Sequence, residues 1–191
     1  MPTYYVDKAV GNNANLGTSE GSGNAWETMD YAANQVVPGD IVYVKASADY
    51  TENVDFVTSG SSTDPIRWVG YTTTTTDQGK ATVDGGSTLS CFTFTTNGAY
   101  QIFENFIIKN SVGSGVFFNT PDNHRWINCD FINNASQGVH CDSQQTFIGC
   151  TFSGNSANGM FSTSGSGVRV IGCTAFSNSN HQLDWNGTST A

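Results

Sequence analysis

The chain has 191 residues, enough for one domain with a real core, and its 7 Lys and Arg against 16 Asp and Glu give a net charge of −9. That balance excludes the basic stripe a nucleic-acid binder needs, and it weakens polyanionic sugars as ligands unless a cation bridges two negative partners. No apolar run approaches the ~18 residues of a membrane span, and 21 Gly with abundant Ser, Thr and Asn favour turns and strands over surface helices.

In chain order, MPTYYVDKAV lacks the basic and apolar regions of a secretory leader, so cytosolic synthesis is expected, with any extracellular role following lysis. Residues 3–6 read as a strand and 11–23 as a polar loop. A helix is expected from about Ala25 to Val36, capped by Asn24 with Glu27 as capping-box partner and with Trp26, Met29, Ala33 and Val36 on one face. Pro38-Gly39-Asp40 stops it. Strands follow in IVYVKA, NVDFV, PIRWVGY and ATVDGG, separated by turn-rich stretches.

From Ser90 a repeat takes over. Gly115-Val116, Gly138-Val139, Gly159-Met160 and then Leu183 mark one position. Phe106, Cys129, Cys150 and Cys173 mark another, and both series advance by 23, 21 and 23 residues. Two markers holding one irregular period identify a solenoid. The coils run 91–113, 114–136, 137–157 and 158–180, with a fragment at 181–191. Alternation directs Phe92/Phe94, Val116/Phe118, Val139/Cys141, Met160/Ser162 and Leu183/Trp185 inward from the first strand of each coil. Phe103, Trp126, Phe147 and Val170 point inward from the second, and Phe106/Ile108, Cys129/Phe131, Cys150/Phe152 and Cys173/Ala175 from the third. Asn105, Asn128, Gly149 and Gly172 share a corner that calls for a left-handed backbone. The fold class expected is all-β: a single-stranded right-handed parallel β-helix of three sheets and about five coils, with a short N-terminal capping helix. One domain spans 1–191, divided into the entry strand, loop and helix (1–37), irregular first coils (38–90) and regular coils (91–191).

The chain resembles the pectate-lyase-like right-handed β-helix superfamily. The similarity is carried by the opening strand, the Gly-Thr-Ser loop, the helix, Pro-Gly-Asp and YTENV, then by SGSSTDPIRWVGY and the repeats INCDFINN and IGCTFSGN. It implies the fold more than any one function, because the superfamily includes polysaccharide lyases, glycoside hydrolases, epimerases, surface proteins and phage virion proteins.

Five Cys leave at least one unpaired, and a stack at strand spacing suits buried packing better than disulfides or a metal site. The outward face of the first sheet is the expected working surface: Thr93, Phe117, His140, Phe161 and Asp184 in one row, and Thr95, Asn119, Asp142, Thr163 and Asn186 beside it. Phe117 and Phe161 flanking His140 fit sugar stacking, contact with another protein chain, or cover by variable loops. His140, Asp142 and Asp184 are the catalytic set if the chain is an enzyme. Asp184 stands roughly 10 Å from His140 by strand spacing, and neither row contains the Lys or Arg base that the superfamily's lyases use beside acidic Ca²⁺ ligands. Arg125 and Arg169 occupy matching positions with Thr146 between them and fit either a carboxylate grip or isolated surface charges. Asn134-Ala-Ser and Asn186-Gly-Thr match the glycosylation pattern but are expected to be inert.

The function expected is a non-catalytic structural or adhesive β-helix, a phage virion surface component such as a decoration protein, fibre or spike. It would dock on other protein chains or form homo-oligomers, with the uncapped last coil covered and Phe117, His140, Phe161, Asp184, Asn119 and Trp185 in contact. No metal or cofactor is expected, Ca²⁺ entering only with an acidic polysaccharide. The rival expectation is a polysaccharide lyase, glycoside hydrolase-like enzyme or carbohydrate-binding module.

Overall fold

Inward apolar and outward polar residues alternate along short strands, and three such strands per turn stack in parallel to give a β-solenoid of about six turns. The computed structural model describes residues 1–94, 98–118, 123–142 and 144–185. The first sheet has six strands: Val54–Asp55, Phe92–Phe94, Val116–Phe118, Val139–Cys141, Met160–Ser162 and Leu183–Trp185. The second has seven: Thr3–Asp7, Ile41–Lys45, Ile66–Tyr71, Gln101–Glu104, His124–Ile127, Gln145–Ile148 and Arg169–Ile171. The third has five: Ala81–Asp84, Phe106–Lys109, Asp130–Ile132, Thr151–Ser153 and Thr174–Phe176.

Register follows the repeat. Val116 pairs with Val139, Val139 with Met160, and Met160 with Leu183. Glycine precedes each of the first three because the coils approach closely there. A Cβ on Gly138 would stand 2.5 Å from the Gly159 carbonyl oxygen. The shared corner is left-handed as expected, at φ 63° for Asn105, 53° for Asn128, 61° for Gly149 and 60° for Gly172.

The core is a column of stacked aromatics. Phe103 and Trp126 lie with ring centroids 4.3 Å apart at 12°, Trp126 and Phe147 at 6.4 Å and 14°, and Phe131 and Phe152 at 5.1 Å and 14°. Each such pair adds about 0.5–1.5 kcal/mol beyond area burial. All five cysteines are free, and Cys91, Cys129, Cys141 and Cys150 are buried in this column.

Beside the column runs a buried asparagine ladder. The Asn134 Nδ2 donates to Asn155 Oδ1 (3.0 Å), the Asn155 Nδ2 to Asn178 Oδ1 (2.8 Å), and the Asn178 Nδ2 to Gln182 Oε1 (2.8 Å). The same side chains bind main chain: the Asn134 backbone N–H donates to Asn155 Oδ1, and the Asn155 Nδ2 donates to the Phe131 carbonyl. Asn134 is wholly buried here, which leaves its sequon no exposed acceptor in the folded chain. The second sequon lies outside the described residues.

The N-terminal helix is shorter than its apolar spacing predicts. It spans Met29–Ala33 and is capped by the Thr28 side chain, which accepts from the Tyr31 N–H. Asn24 and Glu27 form no capping box. Trp26 instead makes a parallel bridge to Val6 and stacks on Tyr4 at 4.8 Å, while Glu27 meets Lys8. Residues 25–27 therefore extend the solenoid floor, and the short helix follows it.

Candidate functional site

Because Val116/Phe118, Val139/Cys141 and Met160/Ser162 turn inward, Phe117, His140 and Phe161 turn outward from the first sheet. The register runs Asp55, Thr93, Phe117, His140, Phe161, Asp184 across its six strands. His140 meets Phe117 at 5.0 Å and Phe161 at 5.2 Å, edge-on at 82° to both. All three side chains are half-buried. Burial holds the His140 imidazole below its ordinary pKa, against the raising pull of Asp142. The row centres on a neutral ring packed between two phenyl edges.

The carboxylates have partners of their own. Asp142 accepts from the Thr163 hydroxyl at 2.7 Å. Asp184 accepts from the Asn158 Nδ2 at 3.0 Å and lies 3.4 Å from His181 Nδ1. The register places Asp184 two strands from His140, about 10 Å by strand spacing. His140, Asp142 and Asp184 thus share a face, with Asp184 two strands from His140. Among the described residues no group of three or more His, Cys, Asp and Glu is placed to hold a metal ion, and no helix is long and apolar enough to cross a membrane. Asn119, Thr95 and Asn186 lie outside the described residues. Trp185 takes its inward register position opposite Ser162 and is 46% exposed, at the last described strand.

A second outward surface is read in the sequence only at Arg125, Thr146 and Arg169, although the same alternation marks the isoleucines beside them. On the second sheet Trp126, Phe147 and Val170 point inward, so Arg125/Ile127, Thr146/Ile148 and Arg169/Ile171 point outward. Arg125, Thr146 and Arg169 are register partners, as their spacing implies. Arg125 also lines a shallow groove with Tyr100, Ile102, Asn123 and Gln144.

Residues 38–190 match the protein family described as the right handed beta helix region. Among solved structures, the chain is similar to pectate lyase Pel9A, with 23% identity and a TM-score of 0.77 over 96% of this chain and 50% of that one. It is also similar to a rhamnogalacturonan lyase, with 16% identity and a TM-score of 0.55 over 99% of this chain and 63% of that one. The chain therefore spans half to under two thirds of the length of these structures. No curated protein matches it.

Proposed function

The chain belongs to the right-handed β-helix family, and from that premise we propose that it is a non-catalytic structural or adhesive β-helix that works by contact through the outward face of its first sheet. One observation carries the reading: the Phe117–His140–Phe161 row. General acid–base chemistry needs titratable groups converging on one bond, and both neighbours of this histidine along the row are phenyl rings. Contact needs apolar area held in advance so that little ordering is left for binding, and rings fixed edge-on at strand spacing supply that. The partner in this reading is another protein chain. Trp185 and Phe176 are also exposed at the last described coil, Trp185 at an inward position of the first sheet and Phe176 on the third sheet. A virion surface is one setting for such a protein, and nothing in the fold singles it out.

The test is retention of the proteins that associate with the tagged chain in its own source, compared between wild type and Phe117→Ala/Phe161→Ala. Partners retained by wild type and lost from the double variant support the reading, and partners retained equally by both overturn it.

A second reading has its own observation, the likeness to pectate lyase over nearly the whole chain. It predicts cleavage of an acidic polysaccharide with Ca²⁺ present, lost in His140→Ala. Absence of cleavage and binding across neutral and acidic polysaccharides would remove it.

A further inference from the structure

We propose that the contact face of the first sheet receives the second sheet of another copy of this chain, packing solenoids side by side; this rests on the contact reading above. The starting point is charge accounting. Of the seven Lys and Arg, Lys8, Lys45, Arg67, Lys80 and Lys109 each meet a carboxylate within the chain. Arg125 and Arg169 form no ion pair among the described residues, are exposed, and stand on one row of the second sheet.

Arg67 shows what that row does when a partner is present. It lies opposite Ile102, and its guanidinium reaches diagonally to Glu104, with Nε at 3.2 Å and Nη2 at 2.6 Å. The equivalent diagonal position for Arg125 is Ile148. The internal acceptor is replaced by an aliphatic side chain, and Ile127, Ile148 and Ile171 continue that row outward. The second sheet therefore offers a guanidinium row beside an aliphatic row.

The first sheet offers the complement. Its outward rows hold Asp55, Asp142 and Asp184 beside Phe117, His140 and Phe161, with no Lys or Arg among their described residues. Coil order sets the fit. Arg125, Asp142, Arg169 and Asp184 belong to four successive coils, so each like-charged pair is two coils apart. Both faces share one coil rise, so two copies with parallel axes stay in step along their length. A slip of one coil sets Arg125 against Asp142, Arg169 against Asp184, and Ile127 and Ile148 against His140 and Phe161. Asp142 and Asp184 sit two residues apart across the strand direction, an offset the flexible Arg stem can span. The contact is heterologous, with unlike faces meeting, so it propagates or closes into a ring.

Sedimentation of the purified chain over a concentration series, at low and high salt, tests this. Self-association at low salt that weakens with salt is expected. Arg125→Glu/Arg169→Glu and Asp142→Lys/Asp184→Lys should each weaken it by about tenfold or more, and mixing the two variants should restore a heterotypic complex. Unchanged circular dichroism and Tm establish that each variant folds. A chain that stays monomeric at low salt, or reversed variants that fail to recover on mixing, overturns the proposal. If the monomer still loses its partners through Phe117→Ala/Phe161→Ala, the contact reading stands and only the self-pairing falls.

Discussion

Asn155→Ala probes the feature that ties consecutive coils together. The Asn155 side chain is fully buried and serves four groups. Its Oδ1 accepts from the Asn134 backbone N–H and from Asn134 Nδ2, both at 3.0 Å, and its Nδ2 donates to the Phe131 carbonyl at 3.0 Å and to Asn178 Oδ1 at 2.8 Å. Two losses are cushioned. Asn134 Nδ2 also reaches the Ile108 carbonyl, and Asn178 Oδ1 still receives the Asn155 backbone N–H. The Asn134 N–H has no such second partner in the ladder, whereas the Phe131 carbonyl keeps the strand pairing of Asp130–Ile132 with Thr151–Ser153. Leaving a buried polar group unmade costs about 1–3 kcal/mol, so the substitution should cost about 1–3 kcal/mol. For a chain of this size that lowers Tm by roughly 2–4 °C per kcal/mol. Asn155→Asp keeps the shape but turns a carboxylate oxygen toward the Phe131 carbonyl and Asn178 Oδ1, and should cost at least as much. Asn180→Ala is the control, because Asn180 is exposed and, among the described residues, bonds only through its backbone N–H to Ala157. Urea unfolding is the assay. An Asn155→Ala chain within about 0.5 kcal/mol of wild type, the range of neutral surface changes, would refute the reasoning.

The stability of wild type relative to His140→Gln should fall as the pH is lowered. The folded pKa of His140 lies below its ordinary value, so the unfolded chain takes up the proton first, and wild type loses stability as pH falls through about 6.5. Glu52, raised by burial, works in the opposite sense at lower pH, so the wild-type minus variant difference is the quantity to follow; a flat difference from pH 8 to 5 contradicts the assignment. Thiol reagents should leave the native chain unlabelled and find five thiols in denaturant, because burial pushes Cys91 and Cys141 up to about 12 and hydrogen bonding with neighbouring thiols raises Cys150 and Cys173. Rapid native labelling of Cys91 or Cys141 would show that the column opens. Trp126→Ala should cost about 3–5 kcal/mol as a core truncation, while Phe117→Ala, removing a half-buried ring, should cost about 1–2 kcal/mol; equal costs by urea unfolding would mean that Phe117 is core and not surface.

Much of this fold is legible because a solenoid prints the same position repeatedly. One glycine before one valine says little, but Gly115, Gly138 and Gly159 in step with Cys129, Cys150 and Cys173 set the register of every regular coil. Inward and outward rows then follow, including Phe117, His140 and Phe161. The asparagine ladder was equally visible in principle. Asn134, Asn155 and Asn178 each stand five residues after a ladder cysteine, but Asn134 was read as part of a sequon, a local pattern that hides the periodic one. The helix start was misplaced because Trp26 falls at helical spacing from Met29 while its ring is committed to Tyr4 and the floor of the stack. The site's chemistry was the least legible part. The holds on Asp184 by Asn158 and on Asp142 by Thr163 come from neighbouring turns, and the protonation of His140 depends on burial that no spacing reports.

The ladder also has a direction. Every rung passes its amide hydrogen to the oxygen of the following turn, from Asn134 to Asn155 to Asn178, so the row is a vector of aligned amide dipoles with distinguishable ends. At its leading end Gln182, four residues on from Asn178, folds back and supplies the oxygen that a further rung would provide. A rung from another turn could join the row there only by displacing Gln182 from Asn178 Nδ2. Gln182 therefore closes the polar row from within the chain, satisfying the amide that the repeat alone would leave without its oxygen.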